Sequence, residues 1–292
     1  MPASGGARSR HHESVIRTRD ARFQQWHALL DNRGKRQRSR SFLVQGVDPI
    51  DAAVRHGWGI RAFLHAGAAT SSWARGVLDG PVDAERVELA PALLGELGGR
   101  DEGPPELLAV AAIPADDPGR IGSGPLVILD RPGSPGNLGS LIRSADALGA
   151  GGLVVVGHAV DLYEPRVVRA SRGSLFALPC IRVSSPADVI AWLRSRDPLP
   201  VLVGATEDGT LDTWDHDFTA PSAIVVGNET TGLSRAWLES CDVTVRIPMV
   251  GDASSLNASV SGSILLYEAL RQVRAAQGRR WGRTDGAGAG SS

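Results

Sequence analysis

The stretch Leu126-Val127-Ile128-Leu129-Asp130-Arg131-Pro132-Gly133-Ser134-Pro135-Gly136-Asn137-Leu138-Gly139-Ser140-Leu141-Ile142-Arg143-Ser144-Ala145 decides the fold. Its first four residues are an uninterrupted apolar run, short enough for a strand buried on both faces. A turn rich in glycine and proline follows. Then Leu138, Leu141, Ile142, Ala145 and Leu148 recur at helical spacing, and Arg143 lies off that face. Strand, turn and amphipathic helix in that order are the unit of a parallel α/β sheet. Asn137 suits the N-cap of the helix. Gly139, in the first turn, permits close approach of another chain or a ligand. A polar helix start beside an arginine suits a phosphate.

The pattern repeats outward from this unit. Further apolar runs occupy Leu153–Val156, Val201–Val203, Ala223–Val226 and Val243–Ile247. Helical patterns lie near 138–148, 164–172, 186–196 and 234–239. A long last helix is expected from about Leu256 to Ala275, with Leu256, Val260, Ile264 and Tyr267 as its apolar face. Residues 125–275 thus read as one α/β domain. Before it, residues 15–113 read as a smaller domain. That domain has a helix around Phe23, Trp26, Leu29 and Leu30, a strand at Phe42-Leu43-Val44, a helix at Ile50 to Arg55 and a strand at Ala62-Phe63-Leu64. Residues 114–124 read as a linker. Residues 1–14 and 276–292 read as disordered tails, the latter ending Gly-Ala-Gly-Ala-Gly-Ser-Ser.

Composition excludes several classes. The chain has 292 residues, 42% of them hydrophobic and 22% charged, which is ordinary for a globular protein. No apolar run is long enough for a membrane span, and residues 1–10 lack the apolar core of a secretory signal. Two cysteines, Cys180 and Cys241, cannot make a disulfide framework and read as small buried thiols, which fits a cytoplasmic protein. No Walker A loop, Gly-x-Gly-x-x-Gly after a strand, nucleophile elbow or metal-ligand spacing is present, so no metal is expected. The net charge of −1 hides a strong asymmetry. The first 40 residues carry ten basic side chains against three acidic ones. They are densest at Arg33-Gly34-Lys35-Arg36-Gln37-Arg38-Ser39-Arg40, read as a flexible basic loop suited to a nucleic-acid backbone. Lys35 is the only lysine in the chain.

Two further polar turns follow strand candidates. Val226-Gly227-Asn228-Glu229-Thr230-Thr231-Gly232-Leu233 reads at its simplest as a turn with Gly232 at positive φ. Ile247-Pro248-Met249-Val250-Gly251-Asp252-Ala253-Ser254-Ser255-Leu256-Asn257-Ala258-Ser259 links the last strand to the last helix, which Ser255 suits as a cap. In open α/β sheets, ligands bind at such strand ends.

Taken together and in order, the three turns resemble the SpoU/TrmH branch of the SPOUT RNA methyltransferases. Asn-x-Gly-x-x-x-Arg appears as Asn137, Gly139 and Arg143. Gly-Asn-Glu-x-x-Gly-Leu appears as Gly227, Asn228, Glu229, Gly232 and Leu233. Ile-Pro-Met-x-Gly, then Ser-Leu-Asn, appears as Ile247, Pro248, Met249, Gly251, Ser255, Leu256 and Asn257. The resemblance covers 125–275 closely and 20–112 more loosely.

The resemblance implies a parallel-sheet α/β domain with a C-terminal trefoil knot, preceded by a small α/β RNA-binding domain. It implies S-adenosylmethionine held by Thr206, Glu207, Val226, Gly227, Asn228, Glu229, Gly232, Ile247, Met249, Ser255, Leu256 and Asn257, and a homodimer with the site near its interface. The implied reaction is 2′-O-ribose methylation of RNA, large-subunit (23S) rRNA foremost, with resistance to a ribosome-targeting antibiotic as a further implication. Asn137, Arg143, Glu229, Ser255 and Asn257 are the implied catalytic set. Arginine as a general base is disfavoured, because reaching its neutral form at pH 7 costs about 9 kcal/mol. Arg143 is expected instead to grip a phosphate and stabilise the developing alkoxide. Asn137 would orient Arg143 or the ribose, Glu229 would pair with an arginine, and Ser255 and Asn257 would shape the pocket. Arg33, Lys35, Arg36, Arg38 and Arg40 would grip RNA. Base methylation, 2′-O-methylation of tRNA, and a non-catalytic RNA-binding protein that protects by occupancy remain as alternatives.

Overall fold

The computed structural model describes residues 13–67, 71–99 and 105–278. Residues 1–12 and 279–292, most of the two expected tails, lie outside the described residues. Glu13 and Ser14 belong to a strand, so the first domain starts earlier than its sequence suggests.

The first domain runs β1 (Glu13–Ile16), α1 (Ala21–Asp31), α2 (Arg33–Ser39), β2 (Ser41–Gln45), α3 (Val47–Arg55), β3 (Ile60–His65), α4 (Ser72–Leu78), β4 (Glu85–Leu89), α5 (Pro91–Gly98) and β5 (Leu107–Ala112). Its sheet has the order β1-β4-β3-β5-β2, with β5 antiparallel to both neighbours. The expected basic loop is helix α2. Asn32 caps it by accepting from the Lys35 amide at 2.9 Å, and Arg40 closes it in a left-handed conformation at φ 49°. The one position this helix buries is Arg36, so no apolar periodicity announces it.

The second domain runs β6 (Leu126–Asp130), α6 (Pro135–Ala147), β7 (Gly152–Val156), α7 (Pro165–Ala170), α8 (Ser174–Ala177), β8 (Cys180–Val183), α9 (Pro186–Arg194), β9 (Val201–Ala205), β10 (Leu211–Asp212), β11 (Ser222–Val226), α10 (Arg235–Ser240), β12 (Val243–Arg246) and α11 (Ala258–Ala276). All seven strands are parallel, in the order β10-β12-β9-β11-β6-β7-β8. Cys180 is buried as expected and Cys241 only half-buried, and in both burial pushes the thiol up to about 12.

Helix α11 departs from expectation in its facing. It buries Ala258, Gly262, Leu265, Leu266 and Ala269. Val260 and Tyr267 are 44% and 48% exposed. The helix therefore carries two apolar stripes, and Val260, Ile264 and Tyr267, the expected core face, lie on the outer one. Gly262 lets the inner stripe approach α6: a Cβ there would lie 2.8 Å from Leu141.

The two domains share a continuous core. Phe42 of β2 meets Tyr163 at 4.9 Å between ring centroids, and Trp58 meets Phe176 at the same distance. The Trp58 indole donates to the Phe176 carbonyl at 2.9 Å. Beside them, Arg36 Nε pairs with Asp161 at 2.6 Å, with both side chains almost fully buried. The segment 114–124 is no loose tether, because Asp116 accepts from Arg182 of β8 at 2.7 Å.

Candidate active site

The loops after three neighbouring strands, β12, β9 and β11, converge at their carboxyl ends, as the parallel sheet dictates. They enclose a cavity of about 410 Å³. The β9 loop contributes Thr206, Glu207 and Asp208. The β11 loop contributes Gly227, Asn228, Glu229 and Gly232. The β12 loop contributes Ile247, Met249, Ser255 and Leu256. Val226 and Ala258 are among the residues that complete the lining. Of the expected cofactor residues only Asn257 stands outside this lining.

Backbone makes the walls. Asn228 and Gly232 exchange hydrogen bonds of 3.0 and 2.9 Å across the β11 turn, and Gly232 takes the expected positive φ, 64°. A Cβ on Gly227 would lie 2.3 Å from the carbonyl carbon of Gly232, so only glycine lets this turn close. Thr206 donates its amide to the Val245 carbonyl at 3.0 Å, tying the β9 loop to β12.

The motif side chains form one chain of hydrogen bonds at the rim. Glu229 accepts from the amides of Gly133 (3.0 Å) and Ser134 (3.3 Å) and from Asn137 Nδ2 (2.9 Å). Asn137 Oδ1 accepts from Asn257 Nδ2 at 2.7 Å. Asn257 Oδ1 accepts from the amide and hydroxyl of Ser259 at 2.8 and 2.7 Å, and so caps α11. Partial burial pushes the Glu229 carboxyl up, but the donors from Gly133, Asn137 and Ser134 outweigh it and hold the group below its ordinary value. A carboxylate at the start of α6 also suits the helix dipole.

Several expected roles change. Glu229 pairs with amides rather than an arginine. The α6 cap is Ser134, which accepts from the Asn137 amide, and Asn137 sits inside the first turn. The α11 cap is Asn257, not Ser255, which is exposed at the cavity. Asn137 spends its side chain on Glu229 and Asn257 and makes no hydrogen bond to Arg143 among the described residues. Gly139 admits α7 of the same chain: a Cβ there would lie 2.5 Å from Ala170 Cβ. Arg143 is exposed and makes no hydrogen bond or ion pair among the described residues.

The basic helix is likewise redistributed. Arg36 is sealed in the domain junction and is not available to RNA. Arg33 donates to the Ala159 carbonyl at 2.8 Å, and Arg40 to the carbonyls of Ile113 and Pro114 at 3.0 and 2.7 Å. Lys35 and Arg38 are exposed with no ion pair among the described residues.

One residue escaped the sequence reading. Arg131, directly after β6, holds φ 52°, an uncommon conformation for a side chain with a Cβ. Its guanidinium grips Asp130 at 3.1 and 3.2 Å, and its carbonyl accepts from Asn228 Nδ2 at 2.7 Å. Asp130, almost fully buried, also accepts from the Ser234 amide at 2.8 Å. The pair clasps the β11 loop to β6.

A parallel sheet whose strand-end cavity is built from these three motifs is the arrangement that the resemblance implies for a SpoU-type methyltransferase domain. Residues 124–267 match the SpoU rRNA methylase family, and residues 20–109 match the SpoU L30e-like domain. The chain belongs to the SpoU rRNA methylase family and is a methyltransferase, as the motifs imply. It is 54% identical to the 23S rRNA (uridine(2479)-2′-O)-methyltransferase of Streptomyces viridochromogenes, over 88% of this chain and 92% of that one. The crystal structure of the SpoU methyltransferase AviRb from that organism, in complex with the cofactor AdoMet, superposes with a TM-score of 0.84 at 53% identity. It covers 90% of this chain and 100% of the neighbour. The 23S rRNA (guanosine-2′-O-)-methyltransferase RlmB of Pseudomonas syringae pv. tomato is 34% identical over 69% of this chain and 73% of its own length.

Proposed function

We propose that this enzyme transfers a methyl group from S-adenosylmethionine to a ribose 2′-hydroxyl of 23S rRNA. The observation that carries the reading is the chain Glu229–Asn137–Asn257, which locks α6 to two loops of the cavity while Arg143 on the same helix stays unpartnered. The two rRNA relatives are named for different bases, uridine and guanosine, but share 2′-O chemistry. That favours ribose over base as the acceptor.

The cavity fits the cofactor. Its volume suits a small-molecule site, usually about 300–1,000 Å³. Its walls join bare backbone at Gly227, apolar side chains at Ile247, Met249 and Leu256, and acidic side chains at Glu207 and Asp208. Such a lining accepts a nucleoside that carries a cation. Gly227, Ile247, Met249 and Leu256 would hold it, with the three loops threaded as the trefoil knot the resemblance implies. When bound, S-adenosylmethionine supplies an electrophilic methyl group.

The chain's own residues then position the alcohol. The Arg143 guanidinium grips the phosphate beside the target ribose and stabilises the developing alkoxide. The proton leaves to phosphate or water. Asn137, Glu229 and Asn257 hold α6 in place and are positioning residues. Lys35 and Arg38 on α2 contact the RNA backbone, with Arg33 and Arg40 at its ends. The reading puts the enzyme in the cytoplasm with its substrate.

The chain pairs with a second copy through the outer stripe of α11. Val260, Ile264 and Tyr267 line a shallow hollow with Ser144, Ser259 and Ser263, next to Arg143. Small residues beside exposed apolar ones make a face that a symmetric partner can cover.

The test is incubation with methyl-labelled S-adenosylmethionine and, separately, unmodified 23S rRNA and tRNA, followed by digestion to nucleosides. Label in a 2′-O-methyl nucleoside from 23S rRNA is expected. Label in tRNA or in a methylated base overturns the substrate or the acceptor, and absence of transfer favours the occupancy alternative. The resistance role rests on the family resemblance, and its test is drug susceptibility of a host with and without the gene.

A further inference from the structure

A second cavity, about 590 Å³, lies at the junction of the two domains, and the reaction described above does not use it. From the first domain it is lined by the turn at Gln45–Pro49, by Trp73 and by Glu106. From the second it is lined by Arg169 and Arg172, at the end of α7. The Trp73 indole is fixed by a 2.8 Å hydrogen bond to Asp51. Glu106 accepts from the Ser71 amide at 2.7 Å. Arg169 is half-buried and makes no hydrogen bond or ion pair among the described residues. Its guanidinium reaches across the junction to within 3.9 Å of a Cβ placed on Gly99.

Arg172 is held in an unusual way. Its φ of 51° is left-handed, a conformation that residues with a Cβ disfavour. Gly173 follows at φ 94°, pressed so close to α3 that a Cβ would lie 3.0 Å from Ala52 Cβ. The turn keeps the Arg172 guanidinium at the mouth of the cavity, 3.0 Å from Asp48, with both side chains mostly exposed. Strain of this kind gathers at sites that bind.

A fixed indole, an uncommitted arginine, a second arginine held on a strained turn and two carboxylates match one chemistry. An unstacked nucleotide offers a flat base to the ring, amines to carboxylates and a phosphate to guanidinium. The volume is within the range of small-molecule sites. We propose that this cleft seats one splayed-out nucleotide of the RNA substrate, away from the ribose that is methylated. The inference rests on the RNA-methylating reading above. Helix α7 packs through Val167 and Ala170 on Gly139 of α6. The helix that carries Arg169 therefore abuts the helix that carries Asn137 and Arg143, and a nucleotide in the cleft sets the register of the RNA against the reacting site.

The test compares wild type with Arg169→Ala, Arg172→Ala, the double variant and Trp73→Leu, using an unmodified 23S rRNA transcript. The double variant should bind RNA about tenfold or more weakly at fixed salt. Its slope of log K against log salt should fall by about 0.7–0.9 for each phosphate the variant no longer neutralises. KM for RNA should rise while kcat and S-adenosylmethionine affinity hold. Trp73→Leu should weaken RNA binding without changing the slope, because stacking releases no counterions. Arg172→Lys, which keeps the charge, should keep the slope. Wild-type RNA affinity and slope in the double variant overturn the cleft while leaving the methylation reading intact. So does a parallel loss of cofactor affinity, which would assign the arginines to holding the fold. Absence of transfer by the wild type to any RNA overturns the methylation reading, and the cleft with it.

Discussion

Asn257 donates to Asn137, Nδ2 to Oδ1 at 2.7 Å, across 120 positions of the chain. Asn137 passes the link on to Glu229 at 2.9 Å, so hydrogen bonds tie together the start of α6, the β11 loop and the cap of α11. Asn137→Ala removes a partner from both ends at once, and a polar group left without its partner costs about 1–3 kcal/mol. The transfer rate should fall about tenfold or more, with cofactor affinity falling less. Asn137→Asp should be worse than alanine, since it sets a second carboxylate against Glu229. A single-turnover transfer assay reads both, and an alanine variant as fast as wild type would break the argument.

Arg143 is exposed on the same helix, six residues or about 9 Å further along. No interaction among the described residues depends on it. Arg143→Ala should leave thermal stability within about 0.5 kcal/mol of wild type. Taking away an electrostatic partner of the reacting groups should lower transfer about 10²–10³-fold. Calorimetric binding of S-adenosylmethionine should be unchanged. A loss of cofactor affinity as large as the loss of rate would reject this division of labour.

Glu229 gives the site an acid limit. Its carboxyl is depressed in the folded protein, so its stabilisation is fully present above the ordinary glutamate value of about 4.3. That stabilisation is lost as pH falls through the lower, folded value. Glu229→Gln should cost about 1 kcal/mol near neutral pH, a modest figure because the group is partly solvated. The gap between wild type and variant should close as pH drops from about 5 to 3. Melting curves across that range check the sign, and a gap that widens on acidification would show that the carboxylate is not held by its donors.

How much of this was legible in the sequence follows from what each element buries. The strands β6, β7, β9 and β11 are nearly continuous apolar runs and announce themselves, and β12 shows as alternating valines. The edge strand β10 is two residues long, and β4 is interrupted by the charges of Glu85, Arg86 and Glu88, so neither stands out. The three loops of the cavity were readable because their residue types must recur together. The partners of Asn137, Glu229 and Asn257 were not, because hydrogen bonds between positions so far apart along the chain leave no periodic trace. Arg131 had no spacing signal; its left-handed turn appears only in the backbone. In α2 and α11 the pattern misled for opposite reasons. The helix α2 buries a charge, and α11 exposes an apolar stripe.

The basic helix allows a test that separates fold from RNA binding. Arg36→Ala leaves Asp161 buried without its partner, which costs about 3–5 kcal/mol. It should lower the melting temperature sharply without changing the salt slope of RNA binding measured well below it. Lys35→Ala with Arg38→Ala should do the reverse. Stability should hold, and the slope of log K against log salt should fall by about 0.7–0.9 for each phosphate left without its cation. A flattened slope in Arg36→Ala, or a melting loss in the Lys35/Arg38 pair, would put RNA binding on the wrong side chains.

The outer stripe of α11 makes the last prediction. Val260, Ile264 and Tyr267 follow helical spacing but turn away from the core, which Gly262, Leu265, Leu266 and Ala269 already fill. Two apolar stripes on one helix face two sets of neighbours, and among the described residues α6 and β11 pack against the inner one. Val260→Asp places a charge in the outer stripe, where it is solvated in a monomer but buried in a symmetric dimer. Sedimentation should therefore show wild type as a dimer and Val260→Asp as a folded monomer with the melting temperature of its own core. Because Ser144 in this hollow adjoins Arg143, the monomer should also bind S-adenosylmethionine yet transfer poorly. Wild type sedimenting as a monomer, or Val260→Asp remaining dimeric and active, would move the interface elsewhere on the molecule.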